Sequence, residues 1–199
     1  MPAKYLLSLA LIICVNTAWA HSFNIVFIAP YSKLAGQAEL QGFLMATRER
    51  DAHQDEESDG HLGGLDAYIL KVDSLPEEEL LEQLEHAARE SEVPFAVGQI
   101  NDSARGMLED NDIVVVDPVS ANFWAAAIAR PEQIKRMNGE AFAVAFEEAH
   151  GYSPDLQAVH GYLAARVIAF VVRHSGEQVL SSPQALKQAV AQVLQKPSL

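Results

Sequence analysis

Three short polar turns follow apolar runs in this chain, and they hold most of the residues able to handle a ligand. Tyr31 and Ser32 follow the run ending at Pro30, Gln99 to Ser103 follow FAVG, and Ser120, Ala121 and Asn122 follow IVVVDPV. Hydroxyls, amides and the carboxylate of Asp102 at strand ends, with helix N-termini behind them, suit a small polar solute. Free N–H groups there attract anions, and the side chains fix orientation. Ser103 and Ser120 have a plainer reading as well, as helix caps or turn residues. Phe123 and Trp124 follow the third turn directly. Aromatics there either anchor a partner surface or hold a short bridging helix to the core.

Other chemistry finds less support. There is no Gly-x-Ser-x-Gly elbow, phosphate-binding Walker loop or His-Glu-x-x-His pair, so the chain is expected to be no enzyme and to use no cofactor. Glu77 to Glu79, Glu82 and Glu85 read as an exposed helix start rather than a paired acid and base. His53 and His61 share a loop with Asp51, Asp55, Glu56, Glu57 and Asp59, but the spacing matches no zinc or EF-hand pattern and no metal site is assigned. His21, if cleavage exposes it as the N-terminal residue, has the amine-plus-imidazole chemistry that chelates Cu(II). His86, His150, His160 and His174 are expected on helix surfaces or ends.

The elements that must position these turns alternate along the chain. Phe23 to Ala29 is a continuous apolar run, the mark of a strand buried on both faces. Leu34, Ala38, Leu40, Phe43, Leu44 and Thr47 then fall at helical spacing to about Arg50, and residues 51 to 64 form a polar, Gly-ended loop. A second strand spans Ala67 to Val72. Ser74 is the expected cap of the next helix, with Pro76 near its start and carboxylates in its first turn. A third strand covers Phe95 to Gly98, a short helix Asp102 to Asp110, and a fourth strand Ile113 to Val116, stopped by Pro118. This alternation predicts β-α-β crossovers and a three-layer α/β/α lobe with a mainly parallel sheet of roughly four strands. Beyond Pro118 the pattern is helical: Pro131 to Ala149, then Ser153-Pro154-Asp155 opening a helix to about His174, then Ser182-Pro183 opening a last one through Leu194. The stripe expected on the long helix is Leu156, Val159, Leu163, Val167 and Phe170.

The first twenty residues read as an export signal. Lys4 supplies the positive start, Leu6 to Val15 the apolar stretch, and Ala18-Trp19-Ala20 the small-x-small cleavage site. Ile13 before Cys14 speaks against a lipid anchor, and removal of this segment leaves a chain without cysteine. The whole chain has 199 residues and a net charge of −13, which disfavours nucleic acid and anionic membranes as partners. No later segment is long and apolar enough to span a bilayer. A periplasmic location without membrane insertion is expected.

Several local sequences together resemble the type I periplasmic substrate-binding proteins, the branched-chain amino acid group of receptors serving ABC transporters. They are FNIVFIAPYS with LAGQAELQGFLMA, where Gly42 matches a helix glycine; DGHLGGLDAYILKVDS; VGQINDSA with IVVVDPVSAN; and FAVAFEEAHGYSPDLQAVHGYLAARVIAFVVRHSG. The resemblance covers most of the chain beyond residue 20. It implies a receptor-like lobe whose turns after the third and fourth strands hold an amino acid's carboxylate and amino group. Two positions depart from that pattern. Asp102 stands where a serine is common and would repel a carboxylate, and Ala121 stands where a threonine is expected.

Receptors of that group have two lobes, and this chain has about half the length they need. Residues 123–135 would replace the excised second lobe, leaving residues 21–199 as one lobe. The expected function is therefore binding of a small polar, amino-acid-like solute at the strand-end face, with an ABC permease as a possible partner. The alternative is an interaction scaffold, a homodimer or a complex with another protein, that uses the bared face without a small molecule.

Overall fold

The computed structural model describes residues 22–49, 57–74, 76–118 and 139–195. The segment read as an export signal (residues 1–20), His21, His53, Ser120, Ala121, Asn122, Phe123, Trp124 and the expected bridge at 123–135 lie outside the described residues.

The strands are β1 (Ser22–Ala29), β2 (His61–Leu62), β3 (Leu65–Asp73), β4 (Phe95–Gly98) and β5 (Val114–Val115). The helices are α1 (Leu34–Arg48), α2 (Glu77–Glu90), α3 (Asp102–Asp110), α4 (Gly139–His150), α5 (Leu156–Ser175) and α6 (Pro183–Gln195), with a 3-10 turn at Glu177–Ser181. They build one mixed sheet of order β2-β3-β1-β4-β5. β1 pairs in parallel with β3 and β4, and β4 in parallel with β5; only β2 is antiparallel, against β3. The four expected strands are thus present and parallel, and the fifth was hidden in the polar loop. Two residues are too short to show a strand period.

β1 is buried on both faces, as its unbroken apolar run requires. Phe23, Ile25 and Phe27 pack into a core shared with Phe43 of α1, Phe146 of α4, Ile168 of α5 and Leu186 of α6. Val26 and Ile28 point the other way, into a smaller core with Leu80 and Leu84 of α2 and Leu108 of α3. Phe27 and Phe43 meet edge-on, with ring centroids 5.3 Å apart, a favourable aromatic arrangement.

The helix starts differ from expectation at one point. Ser74 does not cap α2: Pro76 holds the cap position, and the Ser74 amide donates to the Ala29 carbonyl at 3.1 Å, tying the end of β3 to the end of β1. The cap of α5 is Asp155, within the expected Ser-Pro-Asp signal, and its Oδ1 accepts from the Ala158 amide at 2.8 Å. Leu34 and Leu156, expected on buried stripes, are exposed, 64% and 59% respectively. Each sits at the first position of its helix, before the axis has carried the chain over the sheet. The buried surface of α5 is far broader than one stripe and includes Ala158, Tyr162, Ala164, Ala165, Ile168, Val171 and Val172. This helix is enclosed by the sheet and its helical neighbours rather than laid on a surface.

α1 and α5 approach backbone to backbone. A Cβ on Gly42 would lie 1.9 Å from the Ala158 carbonyl oxygen, and one on Gly161 would lie 1.9 Å from that of Glu39. Glycines at both crossing points are therefore a packing requirement, since any side chain would force the helices apart.

Candidate functional site

The strand order reverses at β1. The chain leaves β1 through α1 to reach β3 on one side, and later leaves β4 on the other. In open α/β sheets such a switch point opens a crevice at the strand C-termini, because the connections diverge to opposite faces. The turns that border it here are Tyr31-Ser32 after β1 and Gln99 to Ser103 after β4. β1 and β4 stay tightly paired to their ends: Ile28 is in register with Gly98, and the Gln99 amide donates to the Ile28 carbonyl at 2.8 Å. Gly98 has φ +111°, and a Cβ there would stand 2.0 Å from that same oxygen. Only glycine allows the turn to leave the sheet this close to its neighbour.

The turn residues divide by role. The Tyr31 hydroxyl donates to the Phe27 carbonyl at 2.7 Å, so it braces the end of β1. Burial, together with the carboxylates of Asp73 and Glu39, raises its pKa and keeps it a neutral donor. Ser32 is exposed at the turn. Asn101 caps α3, its Oδ1 accepting from the Ala104 amide at 2.8 Å. The cap reading considered for Ser103 thus belongs to Asn101. Asp102 and Ser103 occupy the first turn of α3 with exposed side chains, where the helix N-terminus favours negative charge.

Beneath this rim lies a group of charged side chains that the turn-by-turn reading of the sequence missed. Glu39 of α1 is 1% exposed and His160 of α5 is 8% exposed. His160 was expected at the surface; it is instead in the core. Its Nδ1 lies 2.5 Å from Glu39 Oε1, and its Nε2 lies 3.5 Å from Asp117 Oδ1, just beyond β5. Arg105 of α3 reaches Asp117 Oδ2 at 3.3 Å, and Gln99 Nε2 donates to Glu39 Oε2 at 3.3 Å.

Burial alone would strip the proton from His160, since low dielectric disfavours the cation. Asp117 and Glu39 outweigh that, and the pKa rises from 6.5 to about 9. The imidazole is therefore a cation at neutral pH, with both ring nitrogens as donors. Nδ1–H serves Glu39. Nε2–H makes no close hydrogen bond among the described residues and faces Asp117 at ion-pair distance. A row of alternating charges, Glu39, His160, Asp117 and Arg105, thus runs under the ends of β1, β4 and β5. Gln99 links it to the solvent-facing rim. The signal available in the sequence was Glu39 itself, which shares its helix face with Gly42 and Phe43 at spacings of three and four; carboxylates on such faces are buried only with a partner.

The histidine loop is only partly described. His61 Nε2 lies 2.7 Å from Asp66 Oδ1 across the β2–β3 pair. Among the described residues no group of three or more His, Cys, Asp or Glu side chains could hold a metal ion, and no helix is long and apolar enough to cross a membrane.

No family model, no curated protein and no solved structure matches this chain. The resemblance to type I substrate-binding proteins rests on the motifs quoted above.

Proposed function

We propose that this protein is an exported, non-enzymatic solute-binding module, a single receptor-like lobe that takes a small polar, amino-acid-like solute at the crevice between the ends of β1 and β4. One observation carries the reading: the strand order switches between β1 and β4, and Gln99, in the turn after β4 that also leads to the exposed Asp102 and Ser103, donates to Glu39 of the Glu39–His160–Asp117–Arg105 row. Glu39 and His160 are buried and Asp117 and Arg105 half-buried, and burying an ionised group costs several kcal/mol before pairing offsets it. A fold that keeps them at its strand ends holds a rigid polar platform where solutes bind in sheets of this kind.

The side chains suggest which end of a solute goes where. Asp102 at the rim disfavours a carboxylate beside it and favours an amine, while the Ser103 hydroxyl and Gln99 amide serve neutral polar groups. In this reading the chain resembles one half of a two-lobed periplasmic receptor, works in the periplasm after signal cleavage, and hands its solute to an ABC permease or closes against a second protein.

Calorimetry of the purified protein against the amino acids and small amines tests the reading. Heat release with a stoichiometry of one solute per chain supports it. No heat across the panel, together with dimers in sedimentation, would replace it with an interaction scaffold built on the same face.

A further inference from the structure

Several hydrogen-bond donors at the ends of β1 and β4 are engaged within the protein. The Gln99 amide bonds to the Ile28 carbonyl, and the amides of Tyr31 and Ser74 both bond to the Ala29 carbonyl. The Tyr31 hydroxyl is held by the Phe27 carbonyl, and the Ala104 amide by the Asn101 side chain. Exposed donors remain at Ser32, Lys33 and Ser103. At the start of α3, Asp102 adds an exposed carboxylate. A second carboxylate, Asp73, is in register with Ala29 at the end of β3, and it adds to the effect of burial in raising the Tyr31 pKa.

Between the two turns stands Gln99, whose side chain can present either N–H donors or a carbonyl acceptor. Glu39 makes that choice. This buried carboxylate has Oε1 2.5 Å from His160 Nδ1, and its Oε2 lies 3.3 Å from the Gln99 side chain. A carboxylate can only accept, so the Gln99 nitrogen is the end that turns toward Glu39. What this exposed residue can then offer a solute is Oε1, an acceptor. His160 braces Glu39 from the far side, and the adjacent Gly161 lets the two helices meet there.

We propose that the crevice selects an amine with a second hydrogen-bond donor and no carboxylate, an amino alcohol or amino amide rather than a free amino acid. Gln99 is the specificity-determining residue, and Glu39 is the positioning residue that orients it. This rests on the solute-binding reading given above. The ammonium lies beside Asp102, and the hydroxyl or amide N–H of the solute donates to Gln99 Oε1. A carboxylate in that second place would face the Gln99 oxygen, acceptor against acceptor.

Three solutes of similar size test this. Ethanolamine has the second donor, 2-methoxyethylamine has lost it, and glycine carries a carboxylate instead. Each is titrated into the ¹⁵N-labelled protein and followed at the amides of Gln99 to Ser103. Ethanolamine should saturate, and the other two should bind about tenfold more weakly. In Glu39→Gln the new carbonyl stays on His160 and the new nitrogen faces Gln99. The Gln99 amide must then turn over and offer N–H to the solute, so discrimination against 2-methoxyethylamine should vanish. A merely structural Glu39 would weaken all three solutes alike, and that result would overturn the proposal. Gln99→Lys, at an exposed position, should reverse the order of ethanolamine and glycine. That variant and the order on the unaltered protein keep the test decisive if Glu39→Gln fails to fold. Glycine or 2-methoxyethylamine binding as tightly as ethanolamine would overturn the proposal while leaving solute binding at the crevice intact. Silence at these amides with all three would also overturn it; the crevice reading falls only if the wider panel of amino acids and small amines is silent as well.

Discussion

His160 of α5 and Glu39 of α1 are buried against each other, Nδ1 of one 2.5 Å from Oε1 of the other, although 121 residues separate them in the chain. The pair stands at the closest approach of the two helices, where Gly161 meets the Glu39 carbonyl. The same contact that packs the helices therefore brings a cation and an anion together beneath the strand ends. Its consequences reach stability, helix packing and the solute face.

Acid–base titration of His160 should be visible in the stability of the fold. The folded pKa, about 9, lies above the ordinary 6.5 because Glu39 and Asp117 overcome the effect of burial. The folded state thus binds the proton more tightly than the unfolded chain. That contribution is fully present below pH 6.5 and is lost as pH rises through about 9. It is on the order of 3 kcal/mol at its full extent. Thermal melts between pH 6 and 10 should show the midpoint falling across this window, and His160→Gln should remove most of the fall. A wild-type midpoint that is level from pH 6.5 to 9 contradicts the assignment.

Breaking the pair from one side should cost more than removing both partners. Glu39→Ala leaves the imidazolium buried beside a gap, a loss of about 3–5 kcal/mol. His160→Leu in the same chain removes the stranded charge, so the double variant should lose less than the sum of the single losses. Urea unfolding of the four proteins of the cycle measures this. Strict additivity would mean that the two side chains do not interact.

Glycine substitutions should separate by contact rather than by residue type. Gly42→Ala and Gly161→Ala each drive a methyl group into a carbonyl of the facing helix, and each should cost about 3 kcal/mol or more. In α3, a Cβ on Gly106 meets nothing within 4 Å. Gly106→Ala should therefore stabilise the fold by about 0.5–1 kcal/mol through helix propensity and a less flexible unfolded chain. Denaturation midpoints that rank the three variants otherwise would count against the close helix crossing.

The start of α3 should depend on Asn101. Its side chain accepts from the Ala104 amide, and Asn101→Ala should cost about 1 kcal/mol. Asn101→Asp should retain the cap, since a carboxylate accepts the same bond. Ser103→Ala should change stability by less than Asn101→Ala, because Ser103 does not cap the helix.

The strands and their order of use could be read in the sequence because parallel strands buried on both faces leave unbroken apolar runs, as FNIVFIA and IVVV do. The start of α5 was legible for a similar local reason, the Ser-Pro-Asp signal with Asp155 as its cap. What escaped was set by distant partners. Ser74 has the right type for a cap, but its amide bonds to the Ala29 carbonyl and keeps it with the strand ends, two residues before the cap position that Pro76 holds. β2 exists because the Gly63-Gly64 turn folds two residues back onto β3, a pairing too short to show in periodicity. The turns bordering the crevice were found from strand ends alone. The charged row beneath them was not, because His160 looks like a surface helix residue until Glu39 is placed against it.

The most direct test of the proposed function is a titration of the ¹⁵N-labelled protein with each amino acid and small amine in turn, followed at the amides of Tyr31, Ser32 and Gln99 to Ser103. The account predicts that at least one solute gives saturable shifts concentrated on these residues, weakened by Gln99→Ala, while Gly63 and Gly64 stay unmoved. Solutes that leave these amides unshifted, or that shift them without saturation, would contradict it.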